Sequence, residues 1–432
     1  MKRLWAQFGL IKGLITVPGA IALVLWLMAW PTLSADIWYD ANAKPPLNGS
    51  LDISLGTGLN VLTTIATASI TTLSLVYSIV LVVFTLAAGN IAPRLLQRFT
   101  KDRVNQVTAG LLGGTFLYAL TVLHQTDAGF VPSISIAFAM LLSVLTVLQL
   151  IFFVHTVSRS VTIDEEVAAI SEQLEHRLER IIKDNQESEG DERRFDEQRL
   201  KGDSVHHVYA PVPGYLTTID AASICQAASV ADTIVKITVK PGTFLLDGQP
   251  FASFQAQDLD DETIEQVDAA ITENVLFSSS RGSENDIEYT VDLLIEIALR
   301  ALSPGVNDTY TAIACADRLS AAFRNAVRYD LESQIVSDDD GVVRMVIAGV
   351  NISDLLNTAF NPLRRAASSN ALMLQNLGDA LVRLHAVAND DIKPMLQEQV
   401  ELLIAGYRQS DPLPGDLEFL QHRFADIIQA KG

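Results

Sequence analysis

Residues 58–89 read GLNVLTTIATASITTLSLVYSIVLVVFTLAAG, with no Asp, Glu, Lys or Arg. A helix crosses the hydrocarbon core of a bilayer with about 20 apolar residues. At about 1.5 Å per residue this stretch is about 50 Å long, against a core of about 30 Å, so it tilts or protrudes. No turn signal divides it, and it is too short for two spans. It predicts one long transmembrane helix. Working outward, Gly13–Trp30, Val107–Leu123 and Val131–Val157 also reach the required length and apolarity. Positions 1–158 are therefore expected to form a membrane α-helical bundle of four transmembrane helices.

Basic residues near the span ends set the orientation. Lys2, Arg3 and Lys12 precede the first span, and Asp36, Asp40 and Asp52 follow it. Arg94, Arg98, Lys101 and Arg103 crowd the loop between the second and third spans, a basic loop at the membrane interface. The next loop holds only His124 and Asp127, and Arg159 follows the fourth span. Both termini and the basic loop are thus expected in the cytoplasm. Trp26, Trp30, Trp38 and Tyr39 would mark the outer interface. Thr32-Leu33-Ser34-Ala35 resembles a cleavage site, but the preceding apolar run exceeds the about 7–15 residues of a signal-peptide core. A retained anchor is expected.

Thr63, Thr67, Thr71, Ser74 and Ser78 lie along the second span at spacings of 4, 4, 3 and 4. This places five hydroxyls on one helix face. Such a face lines a watery path, or its hydroxyls bond their own helix carbonyls or let helices approach closely. No acid, Lys or Arg falls inside any expected span, which argues against a proton relay or charge-coupled pump. Gly110 and Gly114 carry the GxxxG spacing of a close helix contact, within or between subunits.

The rest of the chain is chemically different. Eight basic against five acidic residues give positions 1–158 a net +3; with −20 for the whole chain, positions 159–432 carry −23. That charge excludes nucleic acid as a partner and opposes lying flat on an anionic membrane. Cys225 and Cys315 lack metal-type spacing and read as reduced structural thiols. Ile163, Val167, Ile170, Leu174, Leu178 and Ile181 continue an amphipathic helix beyond the fourth span. It is either a stalk or a surface helix of its own domain. Asp184–Ser204 reads as a charged linker, completing a segment over 159–204. Positions 205–257 look β-rich, with turns at Pro241-Gly242 and Asp247-Gly248. The turn Gly242–Gln249 resembles that of biotinyl and lipoyl barrel-sandwich modules in outline. The carrier lysine between two methionines is absent, so no prosthetic group is expected. His206-His207 has no third ligand at a metal-type spacing, and no metal is expected. Positions 258–432 read as mainly helical, with a hairpin turned at Asp338-Asp339-Asp340-Gly341. The fold class is thus a membrane bundle plus a cytoplasmic α+β region, with a small barrel-sandwich-like module and a helical C-terminal part.

Within that helical part, Ile297-Ala298-Leu299-Arg300-Ala301-Leu302-Ser303-Pro304-Gly305-Val306-Asn307-Asp308-Thr309 stands out. Pro304 and Gly305 would end one helix, and Asn307 or Asp308 would cap the next. The alternative is a ligand or ion site at Ser303, Gly305, Asn307, Asp308 and Thr309, using the helix N-terminus. Glu284, Asp286, Glu288 and Asp292 read as helix-start and solvated-face residues. The segment resembles the signature of an uncharacterised bacterial membrane-protein family, domain of unknown function twenty-two fifty-four, with Thr309 where the family has Pro. Pro93–Leu96 through Asp102-Arg103, and Phe130–Ser133, resemble it too. The resemblance implies a multi-pass protein of the bacterial inner membrane. It implies no activity, cofactor or catalytic residue.

Three functions remain open. The first is a homo-oligomeric ion channel or pore with a cytoplasmic vestibule or gate. The alternative is a membrane-anchored sensor or scaffold whose cytoplasmic domain binds a protein or small ligand. An enzyme ranks third, because no acid, base or nucleophile set appears by spacing. The lipid bilayer and further copies of the chain are the expected partners.

Overall fold

The computed structural model describes residues 9–42, 53–90, 103–128, 130–160, 163–192, 205–257, 259–282, 286–329, 331 and 333–429. The chain forms two compact units, Met1–Glu165 and Glu166–Gly432.

The first unit is built from α1 (Gly9–Leu27), α2 (Ala29–Asn42), α3 (Leu55–Asn90), α4 (Arg103–Gln125) and α5 (Ser133–Ser160). Four candidate spans are long and apolar enough to cross a membrane: Thr16–Ala41, Leu55–Val83, Arg103–Gln125 and Ser133–Val157. Helix α3 runs unbroken for 36 residues, as its apolar stretch predicts. Gly110 and Gly114 of α4 explain one close contact. A Cβ on Gly110 would come within 2.8 Å of Ile21, and one on Gly114 within 2.7 Å of Leu25. The GxxxG face is therefore used inside the chain, against α1. Of the basic loop, Arg94, Arg98 and Lys101 lie outside the described residues; Arg103 opens α4.

The first span differs from expectation at its end. It was read as ending at Trp30, but Met28 N donates to Val24 O (3.1 Å) and Thr32 N to Met28 O (3.4 Å), so α2 carries the helix on. Asp36, read as a loop residue, is therefore helical and only 5% exposed. Its carboxyl oxygens accept from Ile134 N (2.7 Å), Ser135 N (2.9 Å) and Ser135 Oγ (2.6 Å). The first turn of a helix leaves its N–H groups without intrahelical partners. Here an acid from a distant helix supplies them, and its charge suits the positive end of the helix dipole. Tyr118 of α4 adds a second tie, meeting Thr32 Oγ1 at 2.8 Å and donating to Ser135 O at 3.2 Å.

Helix α6 (Ile163–Glu192) carries the chain into the second unit, which begins at Glu166. Its Val167, Ile170, Leu174 and Leu178 are buried, and Ser171 Oγ donates to Arg318 O at 3.0 Å. The amphipathic stripe thus packs within its own unit. Residues 184–192, expected as linker, are helical; 193–204 lie outside the described residues.

The β region comprises β1 (Val205–Tyr209), β2 (Gly214–Ile219), β3 (Val235–Ile237), β4 (Phe244–Leu245), β5 (Pro250–Gln255), β6 (Val275–Ser278), β7 (Ser333–Ser337) and β8 (Val343–Ala348). One sheet has the order β1-β5-β3-β8-β7, the other β4-β2-β6. Neither sheet closes into a barrel. The reason lies in the edges. Strand β3 pairs antiparallel with β5 but parallel with β8, which arrives from far along the chain, and β2 pairs with β6. A self-contained module would have left these edges unpaired. Phe251, Phe254, Ile237, Leu216 and Met345 pack the core between.

The helices are α7 (Ala221–Val230), α8 (Asp261–Glu273), α9 (Ile287–Ala301), α10 (Thr309–Ala326), α11 (Ile352–Ala366), α12 (Ala371–His385), α13 (Lys393–Gln409), α14 (Pro414–Arg423) and α15 (Ala425–Gln429). Asp220, Asp260, Asp286, Asp308, Asn351 and Asn370 cap six of them, each accepting from the N–H three residues on. The hairpin turns where expected, with Gly341 at φ +74° and Asp338 accepting from Val342 N.

Replacing Asp36 with Ala should destabilise the first unit by about 1–3 kcal/mol, the worth of a lost cap with charge-assisted hydrogen bonds. All four tryptophans (Trp5, Trp26, Trp30 and Trp38) belong to this unit, so tryptophan fluorescence during a denaturing-detergent titration reads it selectively. Asp36→Asn, which keeps one acceptor, should fall between. A midpoint unmoved in Asp36→Ala would show that the cap contributes nothing.

Candidate functional site

Three groups of residues merit a functional reading. The first is the hydroxyl face of α3. Thr63, Thr67, Thr71, Ser74 and Ser78 are all exposed, while Leu62, Ile65, Ala66, Val76 and Val80 of the same helix are buried in the bundle. The stripe therefore faces away from its own chain. Ser78 Oγ donates to Ser74 O at 2.9 Å. The hydroxyls of Thr63, Thr67, Thr71 and Ser74 have no hydrogen-bond partner among the described residues.

The second is the turn between α9 and α10. Helix α9 ends at Leu302, and Ser303 Oγ donates to Arg300 O at 2.6 Å. The positive φ in this turn falls on Asn307, at +51°, and not on Gly305. Asn tolerates this region better than most residues. Asp308 is the N-cap of α10; it accepts from Thr311 N at 3.1 Å and Thr311 Oγ1 at 2.6 Å. Those two bonds hold its carboxyl below the usual carboxylate range. Thr309 Oγ1 accepts from Asn370 Nδ2 at 3.0 Å. Ser303, Asn307, Asp308 and Thr309 thus lie in one turn, and the polar side chains of Ser303, Asp308 and Thr309 have partners in the fold.

The third group was misread as solvated. Asp286 caps α9, as a helix-start residue should, but it is 4% exposed. Arg281 donates to it through Nε (2.5 Å) and Nη2 (3.1 Å), and reaches Asp292 through Nη1 (2.8 Å). A forked guanidinium fits two carboxyls in this way, where an ammonium would not. Burial works against the Arg281 charge, and Asp286 and Asp292 outweigh it, so the guanidinium is held more basic than usual. Lys240, from the turn after β3, pairs with Glu288. Glu284 lies outside the described residues.

Gly242 completes the cluster. Its φ is +93°, and a Cβ there would overlap the Asp286 carboxyl. The Pro241-Gly242 turn thus sits on the cap of α9, which joins the β region to the helical part. Arg281 and Lys240 were not singled out from the sequence. Their only signal is that they are basic residues beside a tight turn and a helix start, a pattern too common to select them.

Among the described residues no group of three His, Cys, Asp or Glu is placed to hold a metal ion. His206 Nε2 meets Asp268 at 3.0 Å, and its ring packs on Phe254. Cys225 and Cys315 are buried and form no disulfide.

With this geometry in view, the comparisons with known proteins decide the membership. The family model described as "Predicted membrane protein (DUF2254)" matches residues 11–383. The chain belongs to this family. An uncharacterized protein of Mycobacterium bovis is 25% identical over 369 residues, covering 81% of this chain and 67% of the relative. An uncharacterized protein of Mycobacterium tuberculosis matches to the same extent. No solved structure matches. For this member of the family, the turn with Asp308 and the Arg281 cluster both fall inside the matched region, as does the hydroxyl face of α3.

Gly242→Ala should destabilise the second unit by on the order of 2 kcal/mol, since positive φ and the overlap with Asp286 both oppose a side chain. Hydrogen exchange of the amides in 287–301 should rise in that variant. Exchange rates equal to wild type would mean that the turn and the cap are not coupled.

Proposed function

We propose that the chain is one subunit of a homo-oligomeric pore in a bacterial inner membrane, with both termini in the cytoplasm and the second unit forming a vestibule or gate. One observation carries the reading. Four hydroxyls on the outward face of α3 have no partner among the described residues, and the helix that bears them is apolar enough to span a membrane. A hydroxyl placed in hydrocarbon without a hydrogen bond costs about 4–8 kcal/mol on the harshest transfer scale. A second subunit, a water column or a turn of the hydroxyl onto its own helix carbonyl, as at Ser78, relieves that cost; lipid tails do not. The close glycine face of α4 is occupied by α1 of the same chain, so α3 is the polar face left to neighbours. A ring of subunits would turn Thr63, Thr67, Thr71, Ser74 and Ser78 toward a common axis. The basic residues that flank the second and third spans support the orientation.

A second reading is favoured by a cation-lined cavity in the second unit. It makes the chain a membrane-anchored sensor whose bundle holds a ligand-binding domain in place.

Native mass spectrometry of the full chain in mild detergent should show a ring of four or more subunits. In liposomes, Thr71→Trp should cut ion flux at least about tenfold, because a bulky ring blocks a narrow path, while Leu75→Trp, exposed but off the stripe, leaves flux near wild type. A monomer, or a Thr71→Trp protein with unchanged flux, removes the pore.

A further inference from the structure

The second unit holds a cavity of about 290 Å³ where α6, the turn after β3, the start of α9 and the end of β8 meet. Its charged walls are Arg177 and Arg180 of α6, Lys240, Asp286 and Glu288. Ile181, Ile219 and Ile347 supply apolar wall. The volume sits at the small end of ligand clefts, which run about 300–1,000 Å³. It suits a small molecule and excludes a folded peptide segment.

Charge decides the class of ligand. The region 159–432 carries −23, yet the cavity is lined by three cations and two acids. Both acids are already engaged, Asp286 by Arg281 and Glu288 by Lys240. Arg281 stands behind the wall, so the acids bring little net negative charge into the space. Arg177 Nη1 donates to Thr290 Oγ1 at 2.9 Å, which directs its guanidinium along the start of α9. Arg180, one turn further on α6, is exposed at the wall and makes no ion pair among the described residues. In a strongly acidic unit, a mouth of this sign repels cations and receives anions.

We infer that this cavity binds a small amphiphilic anion, with a phosphate or carboxylate head on Arg177 and Arg180 and a short apolar body against Ile181, Ile219 and Ile347. The inference deepens the sensor reading and requires no pore, so it stands or falls separately from the flux measurements.

The test uses the full chain in lipid nanodiscs and isothermal titration calorimetry. Phenyl phosphate and benzoate are the probes, one for each head group; phenol carries the same body without charge. Saturable one-site binding of either anion, with phenol failing to compete, is the expected result, and the tighter of the two names the head group. Arg180→Gln should weaken that binding about tenfold or more, the effect of losing one charge-assisted contact. Arg180→Lys should retain most of it, and added salt should reduce it. Arg180 is on the surface, so these variants should melt with the wild type. Failure of both anions to bind saturably overturns the inference. So does equal binding of phenol, or an affinity unchanged in Arg180→Gln and in the Arg177→Gln/Arg180→Gln double variant.

Discussion

A helix inside hydrocarbon has no water with which to satisfy its polar groups, and the first unit is organised around that constraint. Backbone groups in the middle of each span bond within the helix. The ends and the hydroxyls do not, and their solutions shape the bundle. The start of α5 takes its partner from Asp36, near the end of the first helix. This explains why the first helix continues past the point where its apolar run stops. An acid at Asp36 is poor membrane material, but it is well placed as a cap for a helix that begins about one hundred residues later. Tyr118 and Thr32 repeat the logic one turn away. The hydroxyl stripe of α3 is the exception: Ser78 bonds the carbonyl of Ser74, and the other four hydroxyls have no partner among the described residues.

The second unit turns on a different bond, the fork between Arg281 and Asp286. Asp286 performs three tasks with one carboxyl. It caps α9, it fixes Arg281, and it fills the space that a side chain at 242 would need. A buried ion pair is weak evidence of stability by itself, since desolvation offsets much of the attraction. Its value here is positional. It sets the register between the turn after β3 and the start of α9, and these two elements form adjoining walls of the cavity.

The membrane half was legible because its signals are local. Length, apolarity and the absence of charge define a span, and Gly110 with Gly114 announced a close contact. What periodicity does not encode is the partner. The glycines met α1, while Thr63, Thr67, Thr71 and Ser74 met no partner for their hydroxyls among the described residues, and neither follows from spacing. Helix boundaries in the second unit follow Asp and Asn caps, as Thr309–Ala326 does behind Asp308. Within the stretch read as mainly helical, α8 ends at Glu273, and Val275–Ser278 becomes a strand because β2 offers it an edge. The open sheets were hidden for the same reason: β3 and β8 are brought together by the fold and by no local pattern.

The family signature shows how a conspicuous motif and a functional site can separate. The turn from Ser303 to Thr309 is chemically rich, and it drew the first candidate ligand residues. Its polar side chains are largely spent on the fold: Ser303 on a carbonyl, Asp308 on the cap of α10 and Thr309 on Asn370. The residues at the cavity come instead from places that looked ordinary, a solvated helix face and a two-residue turn. Charged groups that a sequence reader assigns to solvent acquire meaning when α6 packs across the start of α9. That packing is set by Val167, Ile170, Leu174 and Leu178, the same stripe that was visible as an amphipathic helix. The apolar face holds α6 in place, and its other side then delivers Arg177 and Arg180 to the cavity.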